Sequence, residues 1–188
     1  MSKAVLISIR PKWCEKIING DKTIEVRKTR PKTDTPFKCY IYCTIGGQDL
    51  NIPISQERIM RDYLETGSMK SLNCPLGNGK VIGEFTCDQI IDAWWDYVPD
   101  AITREVAGGN LEALDGTGMT DEELFSYVGD SMRGHCYGWH ISDLRIYDET
   151  RELSEFTGLR NTRFGAAPYD IKRAPQSWGY VQEEARDE

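Results

Sequence analysis

Apolar residues in this chain recur mostly at the two-residue spacing of a β-strand, in short runs set apart by irregular stretches. Ala4 to Ile9 is an apolar run of strand length, broken only by Ser8. Thr23 to Arg27 alternates, with Ile24 and Val26 on one face and Thr23, Glu25 and Arg27 on the other. Phe37 to Thr44 alternates too, setting Phe37, Cys39, Ile41 and Cys43 against Lys38, Tyr40, Tyr42 and Thr44, and Gly46-Gly47 closes it. Lys80 to Trp95 is strand-like, with Val81, Gly83, Phe85 and Cys87 opposed to Ile82, Glu84, Thr86 and Asp88. Gly134 to Tyr147 is rich in aromatic and β-branched residues, most clearly from His140 on, and Trp178 to Val181 makes a short last strand. No regular helical crossovers separate these runs. The pattern argues against a doubly wound parallel sheet and for an α+β chain, a small mixed β-barrel with short attached helices. Residues 4–9, 23–28, 37–44, 80–87 and 139–147 are its expected strands.

The helices are few and carry clear punctuation. Pro11 suits the first turn of a helix, and Trp13, Cys14, Ile17 and Ile18 follow at helical spacing. Asn19-Gly20 stops it, with Gly20 placed as a left-handed cap. Gln56 to Leu64 is a second candidate, and Thr120 with Glu123 has the spacing of a capping box that opens a helix to about Val128. Arg151 to Phe156 reads as a short helical turn and residues 157–174 as loop. A length of 188 residues fits one domain, 1–188, with insertions at about 46–78 and 96–118.

The net charge of −7 excludes a broad basic footprint, so duplex DNA is not an expected partner. Yet Lys22, Arg27, Lys28, Arg30 and Lys32 lie within eleven residues, while the tail from Glu183 is mostly acidic. One basic pocket on an acidic surface favours a small or single-stranded anionic ligand. No apolar stretch reaches the ~18–20 residues of a membrane span, and the 4–9 run is too short for a signal peptide. The reading is a cytoplasmic protein with no membrane partner. Its six cysteines then count as reduced, mostly buried thiols. Cys39 and Cys43 are four apart and His135, Cys136 and His140 cluster, but no paired CxxC spacing occurs, so no metal is expected. No P-loop, dinucleotide glycine motif or Ser-His-Asp arrangement is present, and no cofactor is expected.

The segment that carries chemistry is Gly20-Asp21-Lys22-Thr23-Ile24-Glu25-Val26-Arg27. A helix stop followed by a strand sets Lys22 where the strand begins and puts Glu25 and Arg27 roughly 7 Å apart on one face. A cation, an anion and a second cation beside a glycine turn can hold an anion or a carbonyl, or set a lysine against a carboxylate for proton transfer. Glu and Arg two apart on a strand are also what an exposed ion pair looks like, worth ~0–1 kcal/mol.

Gly20-x-Lys22-x-x-Glu25-x-Arg27 resembles the G-x-K-x-x-E-x-R signature of the ASCH family, within the PUA-like superfamily. The order of strand, helix, motif and strand is similar, as are the Lys80-to-Phe85 strand, the His140-to-Leu144 strand and the Pro175-to-Trp178 segment. The resemblance implies a PUA-like β-barrel and a polar cleft, lined by Gly20, Lys22, Thr23, Glu25 and Arg27, that binds RNA or a nucleoside-like ligand. It also implies an alternative: small ASCH proteins resemble amidohydrolases that remove the acyl group from N4-acylcytidine with a lysine, a threonine and a glutamate. Lys22 matches the lysine. Glu25 stands at the threonine position, with Thr23 the neighbouring hydroxyl, so Lys22 and Glu25 are the catalytic candidates of that reading. Glu84, Asp115, Asp121 and Glu122 are candidates for the second carboxylate.

Other side chains have two readings each. Trp94, Trp95, Tyr97, Tyr137, Trp139 and Trp178 can stack bases or fill a core. His135 and His140 can serve as general bases if a carboxylate lies beside them. Arg160, Arg163, Lys172 and Arg173 can close over a phosphate or simply face water.

Overall fold

The computed structural model describes residues 2–67, 74–97, 106–129, 133–163 and 165–183. Among them run, in chain order, β1 (Lys3–Ile9), α1 (Pro11–Ile18), β2 (Ile24–Arg27), β3 (Phe37–Cys43), α2 (Gln56–Thr66), β4 (Val81–Cys87), β5 (Ile90–Tyr97), β6 (Val106–Gly109), α3 (Asp121–Val128), β7 (Arg133–His140), β8 (Ser142–Arg151), β9 (Thr157–Thr162), β10 (Gly165–Asp170) and β11 (Trp178–Gln182). Single 3-10 turns occupy Leu111–Leu114 and Leu153–Glu155. The chain gathers into two compact units, the first made of Met1–Glu15, Lys38–Phe85 and Leu144–Glu188, the second of Lys16–Phe37 and Thr86–Asp143.

The first unit is built on a seven-stranded sheet in the order β10-β9-β11-β1-β3-β4-β8. β1, apolar but for Lys3 and Ser8, lies parallel to β3, with Val5 opposite Cys39 and Ile9 opposite Cys43, and antiparallel to β11. A central strand buried on both sides reads as such a near-continuous apolar run. Ala4, Leu6, Tyr40, Tyr42, Val81, Phe156, Ile171 and Val181 form one core cluster. α2 is capped by Ser55, whose side chain accepts from the Arg58 N–H, and by Gly67 at φ 67°. None of its side chains is buried.

The second unit is built on a four-stranded antiparallel sheet in the order β2-β7-β5-β6. Ile24, Val26, Ala93, Trp95 and Cys136 point to one side of it and pack with Leu114 and with Leu124 of α3. α3 opens with the expected capping box between Thr120 and Glu123. The side of β7 that faces this core carries Gly134 and Gly138. A methyl group at Gly134 would stand 1.9 Å from the Trp95 ring, and one at Gly138 would stand 2.8 Å from Leu114.

The α+β class stands, but the single barrel does not describe this pairing. The seven-stranded sheet has β10 and β8 as its edges, and no ladder joins them among the described residues. The 23–28 strand belongs to the other sheet. The expected strand at 139–147 is two strands of different sheets, parted at Ile141. The long 80–95 run likewise breaks between Cys87 and Ile90. Residues 157–174, expected as loop, hold the hairpin β9–β10. Of the two expected insertions, 46–78 contains α2, and the described part of 96–118 contains β6 and the 3-10 turn. Residues 68–73 and 98–105 lie outside the described residues.

Candidate functional site

Pro11 opens α1, and Gly20, at φ 81°, turns the chain back as its N–H bonds the Ile17 carbonyl. The Lys22 N–H then donates to the Lys16 carbonyl at 3.1 Å, which fixes where β2 begins. A loop from far along the chain closes on this point. The Gly116 carbonyl accepts the Thr23 and Ile24 N–H groups at 2.7 and 3.0 Å, the Thr117 carbonyl accepts the Lys22 ammonium at 2.7 Å, and the Gly118 carbonyl accepts the Lys16 ammonium. The loop that offers these three successive carbonyls has Gly116 and Gly118 at positive φ, 98° and 64°, a conformation that favours glycine. The sequence signal for this loop is the Gly-Thr-Gly triplet, which reads as a turn and does not announce its partner.

The motif's charged side chains converge. Lys22 Nζ lies 3.3 Å from one Glu25 oxygen, and Arg27 Nη2 lies 2.8 Å from the other. Lys22, Glu25 and Arg27 are 2%, 8% and 8% exposed as side chains. The reading of Glu25 and Arg27 as an exposed ion pair does not describe them: with Lys22 they make a buried cluster of two cations and one anion. Burial pushes the Lys22 pKa below its usual lysine value. The Glu25 carboxylate opposes that shift by proximity and hydrogen bonding, and the Arg27 and Lys16 charges add to it. Thr23 is exposed, its backbone engaged by Gly116 and by the Ile141 N–H.

The register extends this face across the sheet. Glu25 stands opposite Trp139 and Arg27 opposite Tyr137. On β5, Ile90, Asp92 and Trp94 stand opposite Trp139, Tyr137 and His135. Trp139 is buried, its ring edge-on to Phe37 at 5.8 Å. Towards His135 the face opens to solvent.

The histidines do have carboxylate neighbours. His135 Nε2 lies 2.6 Å from Asp92 and His140 Nδ1 lies 2.7 Å from Asp88, both pairs substantially exposed. The His140 bond holds the Asp88 carboxyl below the usual range. The candidates for a second carboxylate are engaged or exposed. Glu84 accepts from the Tyr147 hydroxyl at 2.8 Å and lies 3.6 Å from Lys38, and Asp115, Asp121 and Glu122 are exposed. Cys39 and Cys43 are buried in β3. Trp95 belongs to the core, Trp178 sits half-buried against Tyr180, and the Tyr97 side chain lies outside the described residues. Arg160, Arg163, Lys172 and Arg173 are exposed.

No protein-family model and no curated protein matches the chain. Among solved structures, a tyrosine-to-phenylalanine variant of the ASCH protein from Zymomonas mobilis superposes with a TM-score of 0.50 over 97% of this chain and 92% of that one. The chain adopts an ASCH-domain fold. At 13% identity the likeness speaks to the fold alone. The ASCH protein from Zymomonas mobilis itself gives a TM-score of 0.49 at 12% identity, over 96% of this chain and 88% of that one. The ASCH fold thus agrees with the resemblance carried by Gly20, Lys22, Glu25 and Arg27. Among the described residues no helix is long and apolar enough to cross a membrane.

Proposed function

We propose that this chain is an ASCH-type binding domain for a nucleobase-bearing ligand, a nucleoside or one nucleotide of RNA, held at Gly20, Lys22, Thr23, Glu25 and Arg27. The observation that supports this reading is the burial of Lys22, Glu25 and Arg27 together, with one more cation than anion. Buried charges are expensive, and a hydrophobic set of similar volume serves stability as well or better. A cluster kept at that cost, next to a glycine turn, is suited to accept a carbonyl or phosphate oxygen. Thr23, exposed at its rim, adds a hydroxyl for orientation.

A second reading, hydrolysis of an N-acylated nucleoside such as N4-acylcytidine, is favoured by one specific feature. A lysine with a lowered pKa, 3.3 Å from a carboxylate, is equipped to move a proton. One experiment separates the two. Purified protein is titrated calorimetrically with cytidine, N4-acetylcytidine and nucleoside monophosphates, and the acylated nucleoside is followed chromatographically for release of cytidine. Binding without turnover, weakened in Lys22→Met, supports the binding domain. Turnover that vanishes in Lys22→Met supports the hydrolase. Neither binding nor turnover with any of these ligands sinks both.

A further inference from the structure

A surface helix ordinarily turns its apolar residues inward and its charges out. α2 does the reverse. Its only residues that are not exposed are Arg58 and Asp62. Arg58 donates to the Asp148 carbonyl and lies 3.8 Å from Glu149, and the N–H of the capping residue Ser55 donates to the Asp148 side chain. These bonds to β8 fix which side of the helix faces its own chain. Met60 is two residues from both Arg58 and Asp62, about 200° around the axis, and so points away. Ile59, Met60, Tyr63 and Leu64 make one stripe there, and they are 37%, 58%, 47% and 75% exposed. Large apolar side chains grouped on one outward face mark a surface that another molecule covers.

We infer that this molecule is a second copy of the chain, its α2 lying antiparallel to the first across a two-fold axis. Three features of the helix favour itself as partner. An open groove runs along it between two rows of residues four apart, Gln56-Met60-Leu64 and Glu57-Arg61-Glu65, and such a groove receives the matching row of another helix. Run in opposite directions, two copies that set Met60 opposite Tyr63 also set Ile59 opposite Leu64, and symmetry makes each contact twice. Apolar thus meets apolar along the stripe, and the same register brings each Arg61 within one turn of Glu65 on the other copy, so the flank is complementary in charge. Two copies of a chain of net charge −7 repel, but α2 carries two cations, Arg58 and Arg61, against three anions, Glu57, Asp62 and Glu65, and so joins them where the repulsion is least. Glu57 and Glu65 outnumber Arg61 along the edge of the stripe, which disfavours an anionic lipid surface. An 11-residue helix is about 16 Å long, and a pair of them buries less than the ~1,200 Å² of a standard interface, so the dimer is a reversible one.

The test is sedimentation velocity on the full chain over about 5 to 500 µM, a range suited to a small interface. A monomer–dimer equilibrium is expected. Leu64→Glu, and separately Met60→Lys, should raise the dissociation constant at least about tenfold, since each dimer loses two apolar contacts and meets two charges in their place. Both side chains are exposed in the single chain, and circular dichroism checks that the variants stay folded. The register is read by copper-catalysed disulfide cross-linking in a Cys74→Ser background, which removes the exposed native thiol. Met60→Cys mixed with Tyr63→Cys should cross-link in higher yield than either alone. A chain that remains monomeric at the top of the concentration range overturns the inference. A dimer whose dissociation constant moves less than twofold in both variants overturns it too, by placing the contact elsewhere, as does a mixture that cross-links no better than the single variants. A monomer that sediments with vesicles of phosphatidylcholine and phosphatidylglycerol, and is released from them by Leu64→Glu, overturns it in favour of a lipid surface.

Discussion

Glu25 is the anion that holds two cations in a nearly water-free place, and Glu25→Gln probes that arrangement with almost no change of shape. Its carboxylate lies 3.3 Å from Lys22 Nζ and 2.8 Å from Arg27 Nη2, with all three side chains at most 8% exposed. Removing one member of a buried charge set leaves its partners uncompensated, at a cost of about 3–5 kcal/mol. At about 2–4 °C per kcal/mol for a chain of this size, the melting temperature should fall by roughly 6–20 °C. The loss should also depend on pH in a defined direction. Lys22 is lowered from 10.5 in the folded state, so the unfolded chain binds more protons between its folded pKa and 10.5. Stability therefore rises with pH through that window as Lys22 sheds its proton inside the fold. Glu25 holds the Lys22 pKa up against burial, so Glu25→Gln lowers it further, and the window opens at a lower pH. Thermal unfolding by circular dichroism at pH 7 and at pH 9.5 reads both effects. The gap between variant and wild type should narrow at the higher pH, and Glu25→Gln combined with Lys22→Met should recover much of it. A Glu25→Gln protein that melts within about 2 °C of wild type at pH 7, less than 1 kcal/mol would produce, refutes the buried cluster.

Three further expectations are independent of the ligand. The His140 bond holds the Asp88 carboxyl below 3.8, so its contribution to stability is present above that value and fades as pH falls through the folded pKa; His140→Ala should return the Asp88 titration, followed by NMR, towards 3.8. Burial pushes the Cys87 and Cys136 thiols up to about 12 and about 11. Cys74 alone of the six cysteines is exposed, so alkylation at pH 8 should label one thiol quickly in the native protein and all six in urea. Thr120→Ala removes the oxygen that accepts the Glu123 N–H at 3.2 Å and should cost about 1 kcal/mol in urea unfolding.

What was legible in the sequence was what is decided locally. Gly20 and the Thr120–Glu123 pair mark helix ends through bonds to residues three away, Pro11 marks one through its fixed φ, and each element begins or stops where those residues place it. The strands expected at 4–9, 23–28 and 37–44 were equally plain, the first from its apolar run and the other two from alternation, because both signals lie within the segment itself. Partnership was not. β2 pairs with β7, more than a hundred residues on, and nothing in Ile24-Glu25-Val26-Arg27 says so. The β9–β10 hairpin was hidden by the residues that make it work. Gly158 leaves room for the Tyr169 ring, 2.3 Å from where its Cβ would be, and Pro168 is tolerated because β10 is an edge strand. At the site, charge pointed to three side chains that the fold does bring together, but not to their burial. Nothing in Glu25-Val26-Arg27 decides between an exposed ion pair and a buried one, and the Gly116–Gly118 loop that anchors Lys22 carries no mark of its destination.

β7 has a core side thinned by two glycines and a side of rings, and this divides the ways the chain can change. On the core side Gly134 and Gly138, either side of Cys136, lie under Trp95 and Leu114, where even one added methyl meets an atom of the core. No gentler substitution exists at such a position, so drift there is closed off and the packing distance of the layer above is frozen. On the side of rings His135, Tyr137 and Trp139 stand at the same two-residue spacing, and at the open end of that row a ring can be exchanged for another without disturbing the layer behind it. One strand of eight residues thus separates what must stay constant from what is free to diverge: relatives with this strand can differ widely in what they hold on one surface while keeping an unaltered interior on the other.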